Sequence, residues 1–315
     1  MANPRSKKYT SPRASSLARG GRPANMNKTQ FDQRREHSAS PGLPSELLKD
    51  AKQVEMTAVA DQELAPLLDL PETISCILKD RIPIPATIDR EGYYDNRHLS
   101  YWLSGYHDYL SIMRSIPEAS RASCILDFGG ASGRLARHFV TNSSESCRIV
   151  VADLNINHVD YIAKYFPHNV VALKLSSYPH IMIPDSSCDL ICAISVFTHI
   201  DTYEFSWLSE LSRILRSKGF AYVTLHTEHT WDLLPNAFVI HTLRKNKLFN
   251  CIFRPGEPMP GDRLVFEYKP ESHDYSCNVF HHSEYLKRQW SRSLSIAKIE
   301  PYAHAYQTAV TLQKA

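Results

Sequence analysis

The stretch "CILDFGGASGRLARHF", residues Cys124 to Phe139, decides how the rest of the chain is read. An apolar run ends in an acid, Asp127, then passes three glycines in five positions, Gly129, Gly130 and Gly133. It resumes with helical character at "GRLARHF". A short buried strand running into a glycine turn and then a helix is the opening unit of an α/β sheet. Ligands of such sheets sit beyond the carboxyl ends of the strands, where the first strand hands over to its helix. Glycine serves there because it admits positive φ and lets the backbone approach a ligand closely.

Outward from this unit the pattern alternates. "CRIVVADLN", "VVALKLS", "CDLICAISVF" and "FAYVTLH" read as further strands, with "HVDYIAKYF" and "DTYEFSWLSELSRILRSKG" as helices between them. Asp201 and Glu204 have capping-box spacing at the start of that last helix, and Gly219 stands where a helix would end. The C-terminal segments 294–299 and 307–312 read as two closing strands. Near-continuous apolar strands alternating with helices require a parallel sheet covered on both faces. The expected fold is therefore a doubly wound, Rossmann-like, seven-stranded α/β sheet.

Upstream, Leu99, Trp102, Leu103, Tyr106, Leu110 and Met113 recur at helical spacing and predict an amphipathic helix. Residues 45–118 are read as a helical lead-in, and 119–315 as the main domain, with an irregular segment at about 229–278. Residues 1–44 are rich in Ser, Arg, Pro and Gly, too poor in apolar surface to offset their ordering entropy, and are expected to be a disordered tail. Acid-poor, Arg-rich composition also suits an organelle transit peptide, but the prolines and the missing apolar face favour a plain solvated tail.

Composition narrows the function classes. With 43% hydrophobic and 22% charged residues in 315, the chain is an ordinary soluble protein by composition. No run approaches the roughly 20 apolar residues a membrane span needs. The net charge is +3, but residues 1–31 hold seven basic residues and no acid, so the remainder carries −4. A mildly acidic body offers no broad basic face for nucleic acid. Seven cysteines without a CxxC pair suit reduced thiols in a cytoplasmic protein better than a zinc site, so no metal is expected.

The loop itself discriminates between ligands. A dinucleotide site requires G-x-G-x-x-G. Anchored on Gly130 and Gly133, the first position is Phe128, and anchored on Gly129 the other two are Ala131 and Arg134. Neither register fits. Asp127, two residues before Gly129, would repel a pyrophosphate and attract a ligand bearing an ammonium and a sulfonium. Asp153, closing the second strand, is placed to accept ribose hydroxyls, which supports a nucleoside without choosing between cofactors.

Taken together, "ILDFGGASGR", the acid of "VVADLN", "IPDSSCDLICAISVFTHI", "LSRILRSKGFAYVTLH" and the terminal "HAYQTAVTLQK" resemble class I S-adenosylmethionine-dependent methyltransferases of the bacterial small-molecule type. The resemblance spans about residues 120–228. It departs from the family at Ala131, where the second glycine usually stands, which implies tighter contact with the methionine moiety. It implies that Asp127, Gly129, Gly130, Ala131 and Gly133 line the methionine end and that Asp153 holds the ribose. It further implies that Leu154, Leu175 and Ser176 border the adenine, that Ile194 and Ser195 border the transferred methyl, and that Tyr101 to Tyr106 cover the cofactor.

Methyl transfer from a sulfonium needs alignment above all, with a base only where the acceptor holds its proton. His199, His226 and His229 follow the fourth and fifth strands at the correct end of the sheet and are candidate bases, though each suits a hydrogen-bonding wall as well. Glu228 and Asp232 are weaker candidates, and His281 and His282 read as surface residues. The acceptor is expected to be a small molecule methylated at oxygen, with nitrogen and carbon open. "AISVFTHI" lacks the D/N-P-P-Y/F motif of enzymes that methylate nucleic-acid bases. Trp231, Phe238, Phe253 and Tyr268 suggest an aromatic cover over the acceptor. A non-catalytic scaffold and an NAD(P)-dependent oxidoreductase or epimerase are the competing classes.

Overall fold

The computed structural model describes residues 40–53, 64–267 and 277–315. Most of the expected tail, 1–39, and Tyr268 lie outside them. Residues 40–44 are placed, and the Gly42 carbonyl accepts the Ile84 N–H at 3.0 Å. Among the described residues no helix is long and apolar enough to cross a membrane.

The lead-in comprises helices α1 (Pro44–Gln53), α2 (Pro71–Lys79) and α3 (His98–Ser115), with a single helical turn at Thr87–Arg90 before α3. Then follow β1 (Cys124–Phe128), α4 (Ala136–Asn142), β2 (Arg148–Asp153), α5 (Ile156–Tyr165), β3 (Val170–Lys174), β4 (Cys188–Ala193), α6 (Glu204–Ile214) and β5 (Leu215–Leu225). Next come three short helices, α7 (Glu228–Leu233), α8 (Ile240–Leu243) and α9 (Lys247–Ile252), and a hairpin, β6 (Arg263–Glu267) with β7 (Cys277–His281). The chain closes with α10 (Ser283–Gln289), β8 (Ser295–His304) and β9 (Gln307–Gln313).

The main sheet has seven strands in the order β3-β2-β1-β4-β5-β9-β8. The first five are parallel, while β9 runs antiparallel to both β5 and β8. Alternation along the strands sends Ile125, Ile149, Val151, Leu190 and Cys192 to a core shared with α3, α4 and α5. Leu126, Phe128, Val150 and Ile191 go to the other face, against Trp207, Leu208 and Leu211 of α6 and Trp290. Both faces are covered, as continuous apolar strands demand.

Where the reading of the sequence erred, tertiary partners explain it. The helix after β4 begins at Glu204, with no side-chain cap at its N-terminus. Asp201 and Glu204 instead accept from Arg263 of β6, at 3.0 and 2.7 Å. Gly219 lies inside β5, since the helix gives way to strand directly at Leu215. His281 is a core residue, fully buried 3.4 Å from Glu204, and the His282 side chain accepts from Glu284 N at the start of α10. The segment at 229–278 has a core of its own, in which Trp231 and Phe253 pack with Phe249, Phe266 and Phe280, while Phe238 is exposed.

Candidate active site

The β1-to-α4 turn opens onto a cavity of about 440 Å³ at the carboxyl ends of the central strands. Asp127, Phe128 and the loop Gly129–Ser132 form one wall, and Asp153 and Leu154 at the end of β2 form the next. Leu175 and Ser176 follow β3, and Ile194, Ser195 and His199 follow β4. Eleven of the sequence-proposed residues thus meet at one cavity: Asp127, Gly129, Gly130, Ala131, Asp153, Leu154, Leu175, Ser176, Ile194, Ser195 and His199.

Three do not. Gly133 (φ +80°) faces away from the cavity, and a Cβ there would stand 2.2 Å from the Phe166 ring, so its smallness serves helix packing. His226 is buried between Phe280 and Tyr306, and burial pushes its imidazole down to about 3. His229 lies outside the cavity wall, beside Glu228 and the Tyr302 ring. Glu228 accepts the N–H and hydroxyl of Ser283, which fixes it as a bracing residue for α10. Of the expected helical cover, Tyr101 lines the cavity, while Tyr106 packs among Trp102, Tyr109 and His138.

The loop conformation follows from its composition. Gly129 has φ +72°, and a Cβ there would meet Val196 at 2.5 Å. A Cβ on Gly130 would strike Asp127 Oδ2 and Val151 at 2.7 Å. Ala131 also has positive φ, +48°, a region that usually falls to glycine. Its N–H donates to Asp153 Oδ2 at 2.9 Å, so the loop backbone and the acid at the end of β2 are held together. Asp153 Oδ1 accepts from Asn155 N at 2.7 Å and lies 3.2 Å from His158 Nδ1. Of roughly four lone-pair sites on the carboxylate, three are thereby engaged.

Asp127 is different. It is 2% exposed, and among the described residues Oδ2 has no hydrogen-bond partner. Burial, opposed in part by Arg134, pushes its carboxyl up to about 7. A buried carboxyl oxygen left without a hydrogen-bond partner is costly to a fold unless a ligand satisfies it. Arg134 itself pairs with Asp108 at 2.6 Å. Asp108 accepts from His304 Nδ1 at 2.6 Å, and His304 Nε2 accepts the Tyr222 hydroxyl at 2.8 Å. His107 stands 3.7 Å from the same carboxylate, and Asp108 engages Arg134 and His304 through its two oxygens, which makes the cluster a hydrogen-bonded network.

His199 Nδ1 donates to the Cys277 carbonyl at 2.8 Å, and burial lowers its basicity, so the imidazole is neutral near pH 7 with the proton on Nδ1. Ser195, at φ +59°, is held by Thr224 and Gln307 at 2.7 and 3.0 Å.

The sequence reading missed Arg90, Glu91 and Tyr93, which reach the cavity from the lead-in, and Thr202, Tyr203, Trp207 and Glu267 on the far side. Arg134 had a signal, standing next to the motif's last glycine. Segment 87–96 has no periodicity to betray it. Its path depends on positive φ at Glu91, Gly92, Tyr94 and Asp95.

The strand order, the acid-ended β1 and the glycine turn are those of the Rossmann-like fold that class I S-adenosylmethionine-dependent methyltransferases share. Within that class, residues 126–223 match the family model described as a methyltransferase domain. A curated relative is the ubiquinone/menaquinone biosynthesis C-methyltransferase UbiE of Hydrogenovibrio crunogenus, 25% identical over 152 residues, which are 47% of this chain. The match spans 57% of that relative, little more than half its length. Similar solved structures include an S-adenosylmethionine-dependent methyltransferase from Mesorhizobium loti (TM-score 0.48, 12% identity, covering 66% of this chain and 98% of that one). Another is the Burkholderia thailandensis 1,6-didemethyltoxoflavin-N1-methyltransferase (TM-score 0.46, 12% identity, covering 78% and 91%).

Proposed function

We propose that this chain transfers a methyl group from S-adenosylmethionine to a small-molecule acceptor, with oxygen the preferred acceptor atom and nitrogen and carbon compatible. The observation that carries this reading is Asp127, a buried carboxyl with an unpartnered oxygen on the cavity wall. The glycine turn suits the same ligand, because Gly129 and Gly130 line the cavity with backbone alone.

Asp127 would face the ammonium of the methionine moiety, with the loop Gly129–Ala131 against its chain. Asp153 has one lone-pair site left for a ribose hydroxyl, and Leu154, Leu175 and Ser176 offer an apolar slot with a polar rim for the adenine. The cofactor supplies a methyl already activated on sulfonium. The chain therefore has to align the acceptor in line with that methyl and exclude water. Where the acceptor is a hydroxyl, His199 on the cavity wall is the base: its Nδ1–H donates to the Cys277 carbonyl, so Nε2 is the basic nitrogen of the ring. The curated relative is by name a C-methyltransferase, and its likeness keeps a carbon acceptor in the reading.

The test is thermal unfolding of the full chain with S-adenosylhomocysteine, S-adenosylmethionine or NADH, beside an Asp153→Ala variant. Ligand at about 100 times its Kd stabilises by roughly 2.7 kcal/mol, a midpoint shift of about 5 °C or more in a domain of this size. The two sulfur ligands should give that shift and NADH should not, and Asp153→Ala should lose it. Equal silence with both sulfur ligands at millimolar concentration would overturn the reading in favour of a scaffold.

A further inference from the structure

Two buried groups of opposite charge line this cavity, each with polar atoms that lack a protein partner. One is Asp127. The other is Arg90, at the end of the turn before α3. Its side chain is 2% exposed, and its guanidinium lies 4.8 Å from the centre of the Tyr101 ring. Nη2 donates to the Asp95 carbonyl and to His98 Nδ1. Among the described residues, Nε and Nη1 are buried without a partner.

Two other arginines nearby, the half-buried Arg134 and the buried Arg137, mark what is unusual here. Arg134 holds Asp108 at 2.6 Å, and Arg137 holds Asp80 at 2.7 Å. Among the described residues no carboxylate pairs with Arg90. Guanidinium does not shed its proton inside proteins, so it cannot relieve its burial by becoming neutral. With no carboxylate beside it among the described residues, it is suited to an anion brought by a ligand of the cavity. Tyr101 fixes where that anion would lie, since its hydroxyl is 3.2 Å from Ser132 Oγ in the glycine loop. Arg90 is therefore at the same end of the cavity as that loop.

We propose that Arg90 binds the α-carboxylate of the methionine moiety while Asp127 faces the α-ammonium, so that the two unpaired charges form one receptor for a zwitterionic amino-acid head group. This rests on the methyltransferase reading and adds to it a specificity residue from the lead-in, outside the sheet motifs. No bond is made or broken by Arg90; its role is recognition and placement of the donor.

The experiment compares two ligands by calorimetric titration on the full chain. S-adenosylhomocysteine carries the head group, and 5′-methylthioadenosine has the same nucleoside and sulfur without it. Arg90→Met should weaken S-adenosylhomocysteine tenfold or more and leave 5′-methylthioadenosine within twofold. Arg90→Lys, which keeps the charge but not the fork of donors, should fall between. If the wild type binds S-adenosylhomocysteine and Arg90→Met binds it equally well, the Arg90 assignment is overturned while the methyltransferase reading stands. Equal losses for both ligands would make Arg90 a structural brace and overturn it too. If the wild type binds neither ligand, both readings fall. Should Arg90→Met not fold, Arg90→Lys decides: a several-fold loss confined to S-adenosylhomocysteine supports the proposal, and no loss or equal losses overturn it.

Discussion

Asp127 illustrates how far a single residue's surroundings set its chemistry. Burial holds its carboxyl at about 7 in the ligand-free chain, against an ordinary value of 3.8. A raised carboxyl favours the fold fully below its unfolded value, and that contribution is lost as the pH climbs to about 7. The loss is at most on the order of 4 kcal/mol. A bound ammonium reverses the preference by favouring the carboxylate. Affinity for S-adenosylhomocysteine should therefore fall by up to about tenfold per unit as the pH drops below 7, and level off above it. Binding at pH 6 should release a proton, visible as a buffer-dependent heat in calorimetry, and Asp127→Asn should abolish both effects. The glycines separate in the same way. Gly133→Ala would force Phe166 aside at a φ of +80°, costing about 1–3 kcal/mol of stability. Its affinity for the nucleoside should change less than that of Gly129→Ala, whose Cβ intrudes on the cavity wall at Val196. Urea midpoints and titrations on both variants check this.

At the scale of elements, the lead-in is fastened to the sheet domain by a buried ionic joint. Arg137 of α4 donates from Nε to Asp80 at 2.7 Å, and Trp102 of α3 donates to the same oxygen at 2.8 Å. Arg137 also reaches the carbonyls of Ile82 and Pro83. Asp80→Ala would strand a guanidinium that is 1% exposed and should cost about 3–5 kcal/mol, read from chemical unfolding. The joint matters for the site because it sets the path of the chain toward Arg90, Glu91 and Tyr93. The elements themselves were largely legible: the alternation of apolar runs with helical stripes located all seven strands of the sheet, and the spacing from Leu99 to Met113 located α3. The boundaries after β4 were not legible, because Asp201 and Glu204 carry a local capping signal that Arg263, about 60 residues away, overrides with charged hydrogen bonds.

For the molecule as a whole, buried carboxylates pull stability in opposite directions with pH. Burial raises the Asp108 carboxyl, but Arg134 and His304 outweigh it and hold it well below the ordinary range. Glu204 is likewise lowered by His281, Trp290 and Arg263 against its burial. Depressed groups add stability above their unfolded values, and that stability is lost as the pH falls through about 4 toward their folded values. The urea midpoint should therefore drop steeply between pH 5 and pH 3, and less steeply in Asp108→Asn, which begins lower because Arg134 is left unpaired.

By itself the sequence determined the strands and their parallel run, the helices that cover them, the acid-and-glycine turn, and the acid that closes β2. These are local or periodic features, set by residues within a few positions of one another. Tertiary structure alone decided which histidine reaches the cavity, since His199, His226 and His229 are equivalent as sequence and differ only in what packs around them. It also decided that Gly133 serves Phe166, and that Arg90, with no motif around it, stands beside the glycine loop with no carboxylate partner among the described residues. Burial and pairing depend on residues far apart in the chain, and the charge of a side chain acquires its role only once its neighbours are in place.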